Sequence, residues 1–178
     1  MKSLIKAIVF LIMGFTVILY GGALLLPGEA RVERSVDIAA APDKVYAIVS
    51  DLRRLPEWSP WMDLDPATAF SFEGAGQGPG QVMRWASNNP MVGSGTMTLT
   101  DAQPGVRVVT RSDYGDFGTS SATMNLAPQA GGTHVTWAFE AQLPGVFDRW
   151  AGLGIDASVG AEYEKALRKL KELVQRQP

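Results

Sequence analysis

The sequence predicts an α+β protein: a seven-stranded antiparallel sheet wrapped around a long C-terminal helix, preceded by one transmembrane helix. Three observations predict it. An uncharged run of twenty residues fills 7–26, short strand-like segments separated by turn residues fill most of 67–142, and an amphipathic stripe fills 156–175.

The run AIVFLIMGFTVILYGGALLL is flanked by Lys2 and Lys6 on one side and Pro27 on the other. As a helix it extends roughly 30 Å, the thickness of a bilayer's hydrocarbon core. A cleaved secretory signal competes with this reading, because Gly28-Glu29-Ala30 offers small residues where a signal peptidase needs them. The run is longer than a usual signal core, which favours an anchor. It contains no GxxxG spacing and reads as a plain tether. Lys2 and Lys6 lead the run, while Arg31 and Arg34 beyond it are offset by Glu29 and Glu33. The expected orientation puts the amino terminus in the cytoplasm and the domain outside, facing the periplasm if the membrane is a Gram-negative inner membrane. The domain division is therefore 1–30, anchor and linker, and 31–178, a single soluble domain.

From Arg31 to Ala39 the chain alternates like a strand, with Val32, Ser35 or Val36, and Ile38 as its apolar-face positions. It ends at the helix-start signal Ala41-Pro42-Asp43. Residues 43–50 read as a short helix with Val45, Ile48 and Val49 on one face. A second runs from Leu52 to Trp58, interrupted by Pro56 and broken into a loop by the corner Pro56-Glu57-Trp58-Ser59-Pro60-Trp61. Six strands follow at about 67–73, 81–87, 93–102, 105–114, 117–127 and 132–142. Their connections leave room only for hairpins, so the sheet is expected to be a meander. In the last strand Val135, Trp137 and Phe139 alternate with His134, Thr136 and Glu140, one face apolar and one polar. Over 156–175 a stripe of Val159, Tyr163, Ala166, Leu167, Leu170, Leu173 and Val174 marks the buried face of a five-turn helix. Its other face carries charges, with Glu164 and Arg168 at ion-pair spacing.

This order, with VERSVDIAAAPDKVYAIVSDLRRLPEWSPW, GQGPGQVMRW, VGSGTMTLTDAQPGVRV, GGTHVTW and a closing ALRKLKEL, resembles the START and Bet v 1 superfamily. Within it the chain is most similar to the bacterial SRPBCC proteins of the polyketide cyclase/dehydrase and lipid-transport group, over about 32–175. The resemblance implies a helix-grip fold with a cavity between sheet and helix that admits an apolar ligand. It carries no catalytic motif that matches here.

Composition narrows the function classes. Without Lys2 and Lys6, the sixteen basic residues become fourteen against eighteen acids, a net charge of −4 on the soluble part. Phosphate binding needs a basic stripe, so nucleic acid is disfavoured as a partner. With no cysteine and one histidine, thiolate nucleophiles, disulfides and multi-histidine metal sites are poorly supplied. No cofactor or metal is expected.

The candidate ligand-cavity residues are aromatic and aliphatic positions expected on the inner face. Trp58 and Trp61 serve either as a rim at the cavity mouth or as a plug beneath the helix. Trp85, Met97, Leu99, Trp137 and Phe139 come from strands, Tyr114 and Phe117 from the turn at 114–118, and Val159 and Tyr163 from the closing helix. Tyr163 is expected where the cavity opens, loosely packed. The glycines at 74, 76, 78 and 80 lack the Lys-Ser/Thr of a phosphate loop and lie between strands, so a turn is expected. His134 is expected on the solvent face, and the scattered aspartates in turns and caps. Three functions remain: membrane-tethered binding or transfer of a lipid or other small hydrophobic molecule, a cyclase- or dehydrase-type enzyme on a polyketide-like substrate, and an interaction module of a membrane complex.

Overall fold

The structure, a computed structural model, describes residues 2–74 and 76–176. Ala75, within the turn expected over 74–80, lies outside them. Helix α1, Lys2–Leu25, is followed after three residues by strand β1, Glu29–Ile38. Its side chains alternate, with Ala30, Val32 and Ile38 buried and Glu33, Ser35 and Asp37 facing solvent. Ser35 is therefore on the outer face and Val36 on the inner. The strand begins two residues earlier than its alternation suggests. Glu29 pairs with Gln142 and Ala30 with Ala141, so cleavage after Ala30 would remove two rungs of the ladder.

Pro42 opens α2, Pro42–Val49, where its missing N–H costs nothing. A 3-10 turn, Leu52–Arg54, leads into α3, Leu55–Trp58, with Pro56 in its first turn. The corner expected as a loop instead winds another turn of helix, α4, Trp61–Leu64. Gln81 is buried and ties this region to the sheet. Its side chain accepts from the Leu52 N–H at 3.0 Å and donates to the Ser50 carbonyl at 2.8 Å.

The meander comprises β2, Ala69–Glu73; β3, Val82–Ala86; β4, Ser94–Gln103; β5, Arg107–Asp113; β6, Thr119–Gln129; and β7, Gly132–Gln142. The seven strands form one antiparallel sheet in the order β1-β7-β6-β5-β4-β3-β2. A bulge between Leu99 and Asp101 bends β4. Gly95 permits a second adjustment: a Cβ there would lie 2.5 Å from the Trp85 ring, so only glycine lets that indole lie across the neighbouring strand.

After β7 comes α5, Val146–Gly152, which has no counterpart in the sequence reading, and then α6, Ile155–Arg176. The stripe on α6 enters the concave face of the sheet. Ala166, Leu167 and Leu170 meet Ile38, Val45, Ile48, Leu99 and Val135, all essentially without solvent contact. Glu164 does not pair along its own helix with Arg168. It receives a hydrogen bond from Arg34 Nε of β1 at 3.0 Å, and the same guanidinium reaches Asp156 at 3.1 Å. Arg34 crosses α6 at Gly160, where a Cβ would stand 2.0 Å from Nη2. Lys169 holds α4 through Asp63 at 2.7 Å.

Candidate ligand cavity

Between the sheet and α6 the packing is incomplete and leaves two cavities. An inner cavity of about 120 Å³ lies under Tyr163 and Trp137 and reaches across β4 to β7. An outer cavity of about 350 Å³ lies between α3, α4 and strands β2 to β4, bounded by Phe70, Met83, Trp85 and Met91. Trp61, Met97, Tyr114, Phe139 and Val159 wall both. The outer volume is within the range of small-molecule sites, and the inner is a side pocket large enough for a few heavy atoms.

The aromatic wall has defined geometry. Trp137 stacks on Tyr163 with centroids 3.7 Å apart and an interplanar angle of 13°. Trp58 meets Trp137 edge-on at 5.4 Å, and Phe139 meets Tyr163 at 90°. Trp85 is edge-on to Tyr114 at 5.9 Å. Tyr163 is only 4% exposed, so the loosely packed position expected for it is not what the fold provides. It is a core residue whose edge borders the cavity.

Hydroxyls supply most of the polarity. Thr110, Ser112 and Ser120 line the inner cavity from β5 and β6, and Tyr114 Oη lies 3.1 Å from Ser120 Oγ. Burial, with a smaller contribution from Tyr114, pushes the Tyr163 phenol well above the ordinary tyrosine range. Burial thus favours the neutral phenol over the phenolate. The carboxylate on the wall, Asp51, accepts from the Arg53 N–H at 3.0 Å and lies 3.8 Å from its guanidinium. One donor stands out. Trp58 Nε1 is buried without an acceptor among the described residues, whereas the Trp85 and Trp150 indoles donate to the carbonyls of Val92 and Leu19.

The family model for polyketide cyclase/dehydrase and lipid transport matches residues 29–175. The chain belongs to that family. The match takes in the whole sheet and nearly all of α6, leaving α1 outside the family's region. No curated protein matches the chain in sequence. Solved structures share the family's fold. The di-domain ARO/CYC StfQ of the steffimycin biosynthetic pathway superposes with a TM-score of 0.66 at 16% identity, over 89% of this chain and 54% of that one. Protein CV1439 of Chromobacterium violaceum gives 0.59 at 18% identity, over 85% and 100%. Ara h 8.0201 gives 0.58 at 16%, over 83% and 99%. At these identities the likeness is one of fold, and the fold is the helix grip.

The sequence-derived site residues divide in two within this family frame. Trp58, Trp61, Trp85, Met97, Tyr114, Trp137, Phe139, Val159 and Tyr163 border one cavity or both. Leu99 and Phe117 do not. Leu99 is fully buried in the closed core cluster, and Phe117 is 93% exposed on the β5–β6 turn. The two tryptophans of the Pro60 corner also part company. Trp58 is buried beneath the helix, while Trp61 stands between the cavities. His134 sits on the outer face of the sheet, partly exposed, with Nδ1 2.6 Å from Asp37 Oδ1. That contact holds the Asp37 carboxyl below the usual range. Sequence reasoning missed the hydroxyls of Ser112 and Ser120, which β5 and β6 turn inward by alternation.

Proposed function

We propose that this protein binds a lipid or other small hydrophobic molecule bearing one neutral oxygen, held in these cavities while α1 tethers the domain to a membrane. The observation that carries the reading is the cavity wall: aromatic and aliphatic over most of its area, with the hydroxyls of Thr110, Ser112, Tyr114 and Ser120 among the inner cavity's lining. A carbonyl or hydroxyl oxygen on the ligand would pair with those hydroxyls, while an anionic headgroup would find no cation among the described residues of the wall. The length and composition of α1 support membrane tethering, and the orientation proposed for it places the domain on the extracytoplasmic face of the inner membrane.

The test is to purify the full chain from its native host in detergent, identify co-eluting small molecules by native mass spectrometry, and displace an environment-sensitive apolar dye with them. Val159 borders both cavities. Val159→Trp should abolish dye binding while leaving a cooperative thermal transition. Ala122→Phe should do the same for the inner cavity from the sheet side. Dye binding unchanged in both variants would place the ligand elsewhere.

An enzymatic reading, a cyclase or dehydrase acting on a polyketide-like substrate, draws on the protonated Tyr163 facing the cavity near Tyr114. It predicts that the extracted molecule is chemically altered after incubation with the protein, and that Tyr163→Phe loses the alteration while retaining binding. Unaltered ligand leaves the carrier reading alone.

A further inference from the structure

The sheet register defines two ends of the domain. β1 starts beside the C-terminal end of α1, and Glu29 pairs with Gln142 at the end of β7. From there the pairs Ala141–Ser120, Thr119–Asp113, Asp113–Thr96, Ser94–Ala86 and Ala86–Ala69 carry the same edge across the sheet. The segments at this end are therefore α5, the β5–β6 turn, the β3–β4 loop and the approach to β2 through α4. Beyond α1, the large apolar side chains most exposed to solvent are Phe117, Met91, Phe147, Leu153, Val106 and Leu64. All but Val106, on the β4–β5 turn at the far end, lie on the end where α1 attaches.

The same end is fastened to α1. Trp150 of α5 donates to the Leu19 carbonyl at 3.0 Å and Arg149 to the Ala23 carbonyl at 3.1 Å. A Cβ on Gly22 would stand 2.6 Å from the Trp150 ring. Leu19 lies inside the apolar run, about 10 Å of helix before its end. The bond therefore draws α5 alongside the last turns of α1, against the part of that helix nearest the domain. The outer cavity is walled at this end by Met91 and Val92 of the β3–β4 loop and by Tyr114 of the β5–β6 turn.

We propose that this end of the domain rests on the bilayer that holds α1. Phe117, Met91, Phe147 and Leu153 enter the boundary between headgroups and acyl chains, and the outer cavity opens onto lipid. The proposal rests on reading α1 as a membrane span. Asp113, Asp116 and Asp148 stand among these side chains, so the docking is apolar and does not depend on anionic lipid or on salt.

The natural chain has no cysteine, which permits clean labelling. Full-length Phe117→Cys, Met91→Cys, Phe147→Cys, Val106→Cys and Phe10→Cys variants are labelled with a nitrobenzoxadiazole fluorophore and reconstituted in phosphatidylcholine vesicles. The label at Phe10 should be quenched by deep doxyl lipids. Labels at Phe117, Met91 and Phe147 should be quenched by shallow doxyl lipids and be at least about three-fold less accessible to iodide than the label at Val106. Equal iodide access at all four domain sites, with Phe10 quenched deep in the bilayer, would overturn the docking and leave the tether intact. Absence of lipid quenching at Phe10 would overturn both.

Discussion

Tyr163 is the residue on which packing and chemistry meet, and its titration gives a direct test. Its phenol is held above the ordinary tyrosine value by burial. Below about pH 10 it is protonated in both folded and unfolded chains and contributes no pH dependence. Above that the unfolded chain releases the proton and the folded chain keeps it, so stability falls as pH rises, by at most about 1.4 kcal/mol per unit. Urea unfolding between pH 9 and 11 should show a steeper loss in the natural protein than in Tyr163→Phe, and equal slopes would mean the phenol ionises freely in the fold. Tyr163→Ala should cost about 3–5 kcal/mol, because it removes the ring stacked on Trp137. At this scale the sequence shows which residues are apolar and on which strand face, and nine of the aromatic and aliphatic candidates border a cavity on that basis. It does not show which gaps between them are closed. Leu99 is sealed in the core cluster by residues brought from elements far from it in the chain, and Phe117 is turned out by a 3-10 turn that breaks the alternation.

Among the elements, α6 and β1 are joined by one arginine laid over one glycine. Gly160→Ala would push the Arg34 guanidinium aside and break its contacts with Asp156 and Glu164. With Arg34 present the substitution should lower the thermal midpoint. In an Arg34→Ala background the loss should shrink or reverse, since the three atoms nearest the new Cβ all belong to Arg34 and alanine is about 1 kcal/mol better than glycine inside a helix. Additive effects in the four-member cycle would mean the crossing is not coupled. The long elements were legible because each repeats its period many times: α6 through six turns and the strands through alternation and glycine- or proline-marked turns. α5 was not. Its seven residues split their apolar side chains between α1, through Trp150, and the outside, through Phe147, so no single stripe forms. The same reason hides α4, a single turn after Pro60 whose anchor, Lys169, comes from α6.

For the whole molecule, α1 and the grip are one continuous chain, and the proposed membrane span is testable in cells. The full-length protein should remain in the membrane fraction through carbonate and high-salt washing, and release of a shorter soluble species beginning near Arg31 would show that α1 is a cleaved signal. The joint between the two parts is Leu26, Pro27 and Gly28, three residues between the end of α1 and the start of β1. Fully extended they reach roughly 10 Å, and Arg149 and Trp150 fasten the domain to α1 besides. Such a joint forbids excursions. With α1 as the proposed span and the cavities as the proposed ligand site, the domain is no ferry that departs one membrane and arrives at another; its cargo would be loaded and surrendered at a single surface. Any onward journey therefore belongs to a second carrier that comes to it, or to diffusion of the whole assembly within the plane of the bilayer.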